Sequence, residues 1–136
     1  YQNFSSLQIS KLINLCKIIK KKYNLKSENF LGHSDISPLR KNDPGEKFPW
    51  QKLSKFKIGN WYKKRKFKFK NLEDKKIKNM FFKNIKKIGY RYHSDQIKIN
   101  SKDRLVVKAF QRRYLPNKIT GVIDLKTFKI SHYLVN

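Results

Sequence analysis

The sequence predicts an α/β unit, built from a helix, a short strand and a proline-rich loop, followed by a small all-α domain of three helices. Three observations carry that reading. Apolar residues recur at helical spacing over residues 5–23 and give way to the short apolar run Asn29-Phe30-Leu31-Gly32. Three prolines (Pro38, Pro44, Pro49) and two glycines (Gly32, Gly45) then crowd residues 32–50, where neither a long helix nor a regular strand can run. Beyond a basic run at residues 62–70, three more apolar patterns have helical period, each with a cap or a stop signal.

Taken in order, Ser5 with Gln8 has the spacing of a capping box. Ile9, Leu12, Ile13, Cys16, Ile19 and Tyr23 form the apolar face of the first helix, and Lys11, Lys17, Lys21 and Lys22 face water. A turn is expected at residues 24–29, and the strand at residues 29–32 delivers His33 to its end. Residues 53–61 read as a short helix and turn, with Gly59 as the helix stop. The run YKKRKFKFK at 62–70 alternates basic and aromatic residues and is expected to be a solvated linker rather than a strand. Ile77, Met80, Phe81, Ile85 and Ile88 then mark a helix ending near Gly89. Leu105, Val106, Ala109, Phe110 and Tyr114 mark a second, with Ser101 as its expected cap. Asp124 caps a third, whose inner face uses Leu125, Phe128, Ile130 and Leu134. The chain therefore divides into residues 1–61, a basic linker at 62–74, and residues 75–136.

The chain has 136 residues, 38% hydrophobic and 14% aromatic, enough apolar surface to exclude wholesale disorder. Its 34 Lys and Arg against 9 Asp and Glu give a formal net charge of +25. That balance attracts polyanions, whether nucleic acid, an anionic membrane surface or the carboxylate-rich peptides of a cell wall. Lysine far outnumbers arginine, whose planar fork suits base and phosphate recognition, and the lysines are spread along the whole chain. Specific nucleic-acid binding is therefore not expected, and biased composition accounts for the charge as well as a dedicated site does. The lone Cys16 permits no disulfide within the chain and reads as a packed thiol. No signal peptide, lipidation motif or membrane span is evident, and the first residue is tyrosine, so an upstream portion is expected.

His33, Lys41 and Asp43 lie on the proline-stiffened loop. A zinc hydrolase needs imidazole or carboxylate ligands with one coordination position open to water, and a cation near the developing oxyanion. These three residues could supply two ligands and that cation. On spacing alone, a strand-end histidine bonded to backbone is the simpler reading of His33.

The whole loop, GHSDISPLRKNDPGEKFPW, resembles the motif of the amidase-2 family of N-acetylmuramoyl-L-alanine amidases, especially its outer-membrane branch. Ser37 stands where that family has alanine. The Gln-Ile helix and Tyr23 turn upstream, and residues 56–61 downstream, extend the resemblance. It implies hydrolysis of the amide between N-acetylmuramic acid and L-alanine of peptidoglycan. It implies Zn2+ as cofactor, His33 and Asp43 as metal ligands and catalytic Lys41, with Asp35 and Arg40 as structural supports. Trp50 is expected to pack the loop onto the core, with substrate contact as the lesser alternative. The family's first zinc histidine and its catalytic glutamate lie further upstream, so the 136 residues alone are expected to be inactive.

Residues 75–136 are similar to the three-helix peptidoglycan-binding domain that follows such amidases. The similarity rests on Ile88-Gly89-Tyr90, on the segment VKAFQRRY ending at Tyr114, and on Thr120-Gly121-Val122-Ile123-Asp124 with Thr127. Gln111, Arg112 and Arg113 are then expected on the surface that meets glycan strands or acidic stem peptides, a solvated helix face being the plainer alternative. His93 and His132 are expected to be surface or packing residues. The expected partner is peptidoglycan, met by a monomer in the bacterial cell envelope, with membrane contact only through an upstream lipid anchor. A wall-binding module without catalysis and a basic nucleic-acid binder are the two competing readings.

Overall fold

A computed structural model describes residues 3–94 and 98–136. Its helices are α1 (Ser6–Lys22), α2 (His33–Ile36), α3 (Trp50–Ser54), α4 (Asp74–Ile88), α5 (Ser101–Tyr114) and α6 (Leu125–Val135), with a 3₁₀ turn at Ser27–Asn29. Among the described residues there is no strand. The expected α/β class of the first unit is thereby corrected. Residues 29–32 have no second strand to share a ladder with, and unpaired backbone groups do not remain extended inside a fold. Instead the chain leaves the 3₁₀ turn and enters α2 directly, because the Asp35 carboxylate accepts the Gly32 N–H at 2.9 Å and caps the helix start.

The caps explain where the other helices begin. In α1 the Gln8 N–H donates to Ser5 Oγ at 3.2 Å, and the Ser5 N–H donates to Gln8 Oε1 at 2.8 Å. The N-cap of α5 is Asn100, one residue before the expected Ser101, because Asn100 and Asp103 cap each other's backbone. Asp124 caps α6 through the Thr127 N–H at 2.8 Å. Gly89 ends α4 with φ +112°, a left-handed conformation that glycine adopts without strain.

Two apolar clusters form. In the first, Ile9, Ile13, Trp50, Leu53 and Ile58 seat α1 and α3 against each other. In the second, Phe81, Ile85, Val106, Phe110, Phe128 and Ile130 fill the space between α4, α5 and α6. Trp61 packs on both. The segment at 62–70 has no regular structure, yet Phe67 packs edge-on against Phe128 at 5.8 Å, and Phe69 against His132 at 5.1 Å. Lys66, Lys68 and Lys70 remain exposed. His93 stacks on Phe82 at 5.1 Å. Among the described residues no helix is long and apolar enough to cross a membrane.

Candidate functional site

The loop between Gly32 and Trp50 is held in a tight fold by its own backbone. The Ser34 N–H donates to the Asp43 carbonyl at 2.9 Å, tying the segment after His33 to Asp43 itself. The Arg40 and Lys41 N–H groups both donate to the Ser37 carbonyl, at 3.0 and 2.9 Å, and close a turn between the two. Gly32 lies so close to the returning chain that a Cβ there would stand 2.6 Å from Pro44 Cδ and 3.3 Å from Trp50. Both neighbours of His33 are thus pressed against the region of Asp43 and Pro44.

This register brings the two side chains together. His33 Nδ1 and Asp43 Oδ2 are 2.5 Å apart, and the side chains are 70% and 53% exposed, so a solvent-borne ion can reach both. The bond from His33 holds the Asp43 carboxyl below its ordinary pKa of 3.8, and the nearby charge of Lys41 acts in the same direction. Lys41 is exposed, and its charge is near enough to the pair to act on Asp43. Arg40 donates to Ser37 Oγ at 3.1 Å and braces the same turn.

An imidazole and a carboxylate fit the donor preferences of zinc, which accepts nitrogen and oxygen ligands at about 2.0–2.2 Å. Among the described residues no group of three His, Cys, Asp or Glu is gathered that could complete such a centre. His33 and Asp43 would be two members of a larger set.

Asp35, Arg113, Tyr90 and Trp50 meet beneath the loop. Asp35 is 8% exposed. One of its oxygens accepts the Gly32 N–H and pairs with the Arg113 guanidinium; the other accepts the Tyr90 hydroxyl at 2.6 Å. Arg113 also donates to the Phe30 carbonyl at 3.3 Å and lies over the Trp50 ring with its guanidinium carbon 3.8 Å from the centroid. Burial, reinforced by the Asp35 carboxylate, pushes the Tyr90 hydroxyl well above its ordinary pKa, so it acts as a neutral donor. Burial also works against the Arg113 charge, but its acidic neighbours outweigh it and the pKa is raised.

Two sequence expectations change here, those for Gln111 and Arg113, while Trp50 takes the packing role of its two readings. Trp50 is buried beneath Arg113 and packs the loop. Gln111 is fully buried rather than on a glycan-facing surface: its Oε1 accepts the Thr120 and Gly121 N–H groups, and its Nε2 donates to the Val122 carbonyl and Thr127 hydroxyl. A satisfied amide of this kind fixes the 120–127 turn. Arg113 is buried in the junction, whereas Arg112 is half-buried on the outer side of α5. The sequence did carry a signal for Arg113. It stands three, four and seven residues after Phe110, Ala109 and Val106, on the apolar stripe of α5, where a charge must find a partner.

No protein-family model matches the chain. It is 32% identical over 136 residues to the N-acetylmuramoyl-L-alanine amidase AmiD of Escherichia coli (strain K12), across 97% of this chain and 49% of that protein. The chain is homologous to the AmiD and AmpD amidases.

A second amidase relative, the 1,6-anhydro-N-acetylmuramyl-L-alanine amidase AmpD of Haemophilus influenzae, is 40% identical over 52 residues, 38% of this chain and 28% of its own length. Among solved structures, E. coli AmiD in complex with anhydro-N-acetylmuramic acid-L-Ala-D-gamma-Glu-L-Lys superposes with a TM-score of 0.79 at 30% identity. That match covers 97% of this chain and 52% of the other. AmpDh3 from Pseudomonas aeruginosa, in complex with anhydromuramic pentapeptide, superposes at 0.76 with 25% identity, over 98% of this chain and 54% of the other. The chain thus spans about half the length of these full-coverage amidase homologues.

Proposed function

We propose that this chain is the C-terminal part of a zinc-dependent N-acetylmuramoyl-L-alanine amidase that cleaves the amide between N-acetylmuramic acid and L-alanine in peptidoglycan or anhydro-muropeptides. The observation that carries the reading is the His33–Asp43 contact on an exposed, backbone-tied loop, in a chain homologous to amidases that bind muropeptides.

In this reading His33 and Asp43 hold the metal, with further ligands and a proton-moving glutamate contributed by sequence upstream of Tyr1. Bound zinc polarises a scissile carbonyl and makes water a stronger nucleophile at neutral pH. Lys41 places an ammonium beside the pair and favours negative charge developing on the carbonyl oxygen. Asp43, held ionised by His33 and Lys41, stays ready to act as an anionic ligand. The excess of positive charge favours approach of stem peptides with free carboxylates. The protein would work as a monomer in the bacterial cell envelope, and a lipid anchor, where present, would lie upstream.

The test uses the complete gene product. His33→Ala and Asp43→Ala should each lose stoichiometric zinc, measured by elemental analysis, and release less than about 1% of the wild-type amount of stem peptide from purified sacculi. A His33→Ala protein with normal turnover would sink the assignment. The competing reading is a wall-binding module that has lost catalysis, favoured by the absence of a third donor among the described residues. It predicts sacculus binding without zinc in the wild-type protein.

A further inference from the structure

The helical region at residues 74–136 does more than trail behind the metal loop: its side chains form the floor on which the loop rests. We propose that Arg113 and Tyr90 are positioning residues for His33, acting through Asp35 to fix the start of α2 and with it the approach of His33 to Asp43. This rests on the metal reading of that pair.

The physical chain has three links. His33 is the first residue of α2, so its direction follows from the backbone at Gly32 and Ser34. Gly32 is fixed by its N–H bond to Asp35 at 2.9 Å and by close packing on Pro44 and Trp50; Ser34 is fixed by its bond to the Asp43 carbonyl at 2.9 Å. Asp35 in turn has no freedom of its own. Tyr90 engages one oxygen at 2.6 Å, and Arg113 engages the other while its guanidinium carbon lies 3.8 Å over the Trp50 ring centroid. Gly59 completes the clamp, since a Cβ there would meet Arg113 Nη2 at 2.8 Å.

Each partner suits its role chemically. A buried carboxylate could accept donors from several directions, but a planar guanidinium held over an aromatic ring narrows the approach. Tyr90 adds a second fixed direction. The loop's geometry is therefore determined by residues 55 and 78 positions further along the chain than Asp35. Groups behind metal ligands commonly change metal affinity 10–100-fold when removed.

The experiment compares Tyr90→Phe and Arg113→Lys with wild type in the complete gene product, using two independent readouts. The first is amide hydrogen exchange, which needs no metal. Exchange at Ser34 should accelerate about 10-fold or more, while the core amides of α5 near Phe110 change less than about 2-fold. The second uses the cobalt(II) ion as probe: its visible absorption bands should shift and its affinity fall about 10–100-fold, with kcat reduced and KM nearly unchanged. Local acceleration at Ser34 in a protein that binds no metal would retain the positioning claim and remove the zinc reading. Unchanged Ser34 exchange in both folded variants overturns the proposal. So does acceleration spread evenly over α4 to α6, which marks a merely structural role.

Discussion

The proline-rich loop at residues 32–50 and the three-helix core achieve order by different means. In the core, Phe81, Phe110 and Phe128 are wholly buried, and α4 packs along α6. Its stability comes from apolar area removed from water, roughly 25 cal/mol per Å². In the loop the proposed metal-holding side chains, His33 and Asp43, lie open to solvent and contribute little burial. Shape there is set by backbone hydrogen bonds, by the cramped Gly32, and by a buried ion pair whose cation comes from α5. The contrast teaches that the exposed candidate site and the buried core are carried by separate residues here, joined at Asp35 and Arg113.

That division can be broken from either side. The largest effect is expected from Phe110→Ala, which opens a cavity in the core. It should cost about 3–5 kcal/mol of unfolding free energy, read from a urea titration. Asp124→Ala removes the cap of α6 and should cost about 1 kcal/mol at neutral pH.

The same residue gives the comparison a pH signature. Burial raises the Asp124 pKa, but the bonds from Lys118, at 2.6 Å, and from the Thr127 N–H outweigh it, so the carboxyl titrates below its ordinary 3.8. A depressed folded pKa means that the contribution is fully present above 3.8 and is lost as pH falls through the lower folded value. Wild type should therefore lose this increment in strong acid, and Asp124→Ala should show a flatter profile over that window. A parallel pair of curves would remove Asp124 from the account. The smallest effect is expected from His33→Ala. It should change thermal stability by less than about 0.5 kcal/mol, because the side chain is mostly exposed, despite its expected loss of zinc. A large destabilisation there would mean that the loop and the core are less separate than described.

Much of this was legible in the residues. The capping signals at Ser5 and Asp124, the stop at Gly89 and most of the apolar stripes of α4 to α6 are local, and local rules located them, although Leu105 and Leu125, expected inside, are exposed. The loop's prolines and glycines marked its irregular path. The strand at 29–32 was misread because a short apolar run is extended only if a partner strand exists, and periodicity carries no information about partners. Gln111 was misplaced for a related reason. Next to Arg112 it looks like a surface polar residue, and only the chain's return at Thr120 and Gly121 shows why an amide is buried there. The pairing of Asp35 with Arg113 spans 78 positions and lies beyond any local rule.

The seating of Phe67 and Phe69 on α6 has an electrical consequence. Lys66, Lys68 and Lys70 of this strap are exposed, and their like charges repel one another along a segment that the Phe67 and Phe69 rings and the Arg65 bond to the Asn136 carbonyl hold down. Added salt shortens the reach of that repulsion, to about 8 Å at physiological ionic strength. The strap should thus grip more firmly in brine than in dilute buffer, opposite in sign to the behaviour of a segment fastened by ion pairs.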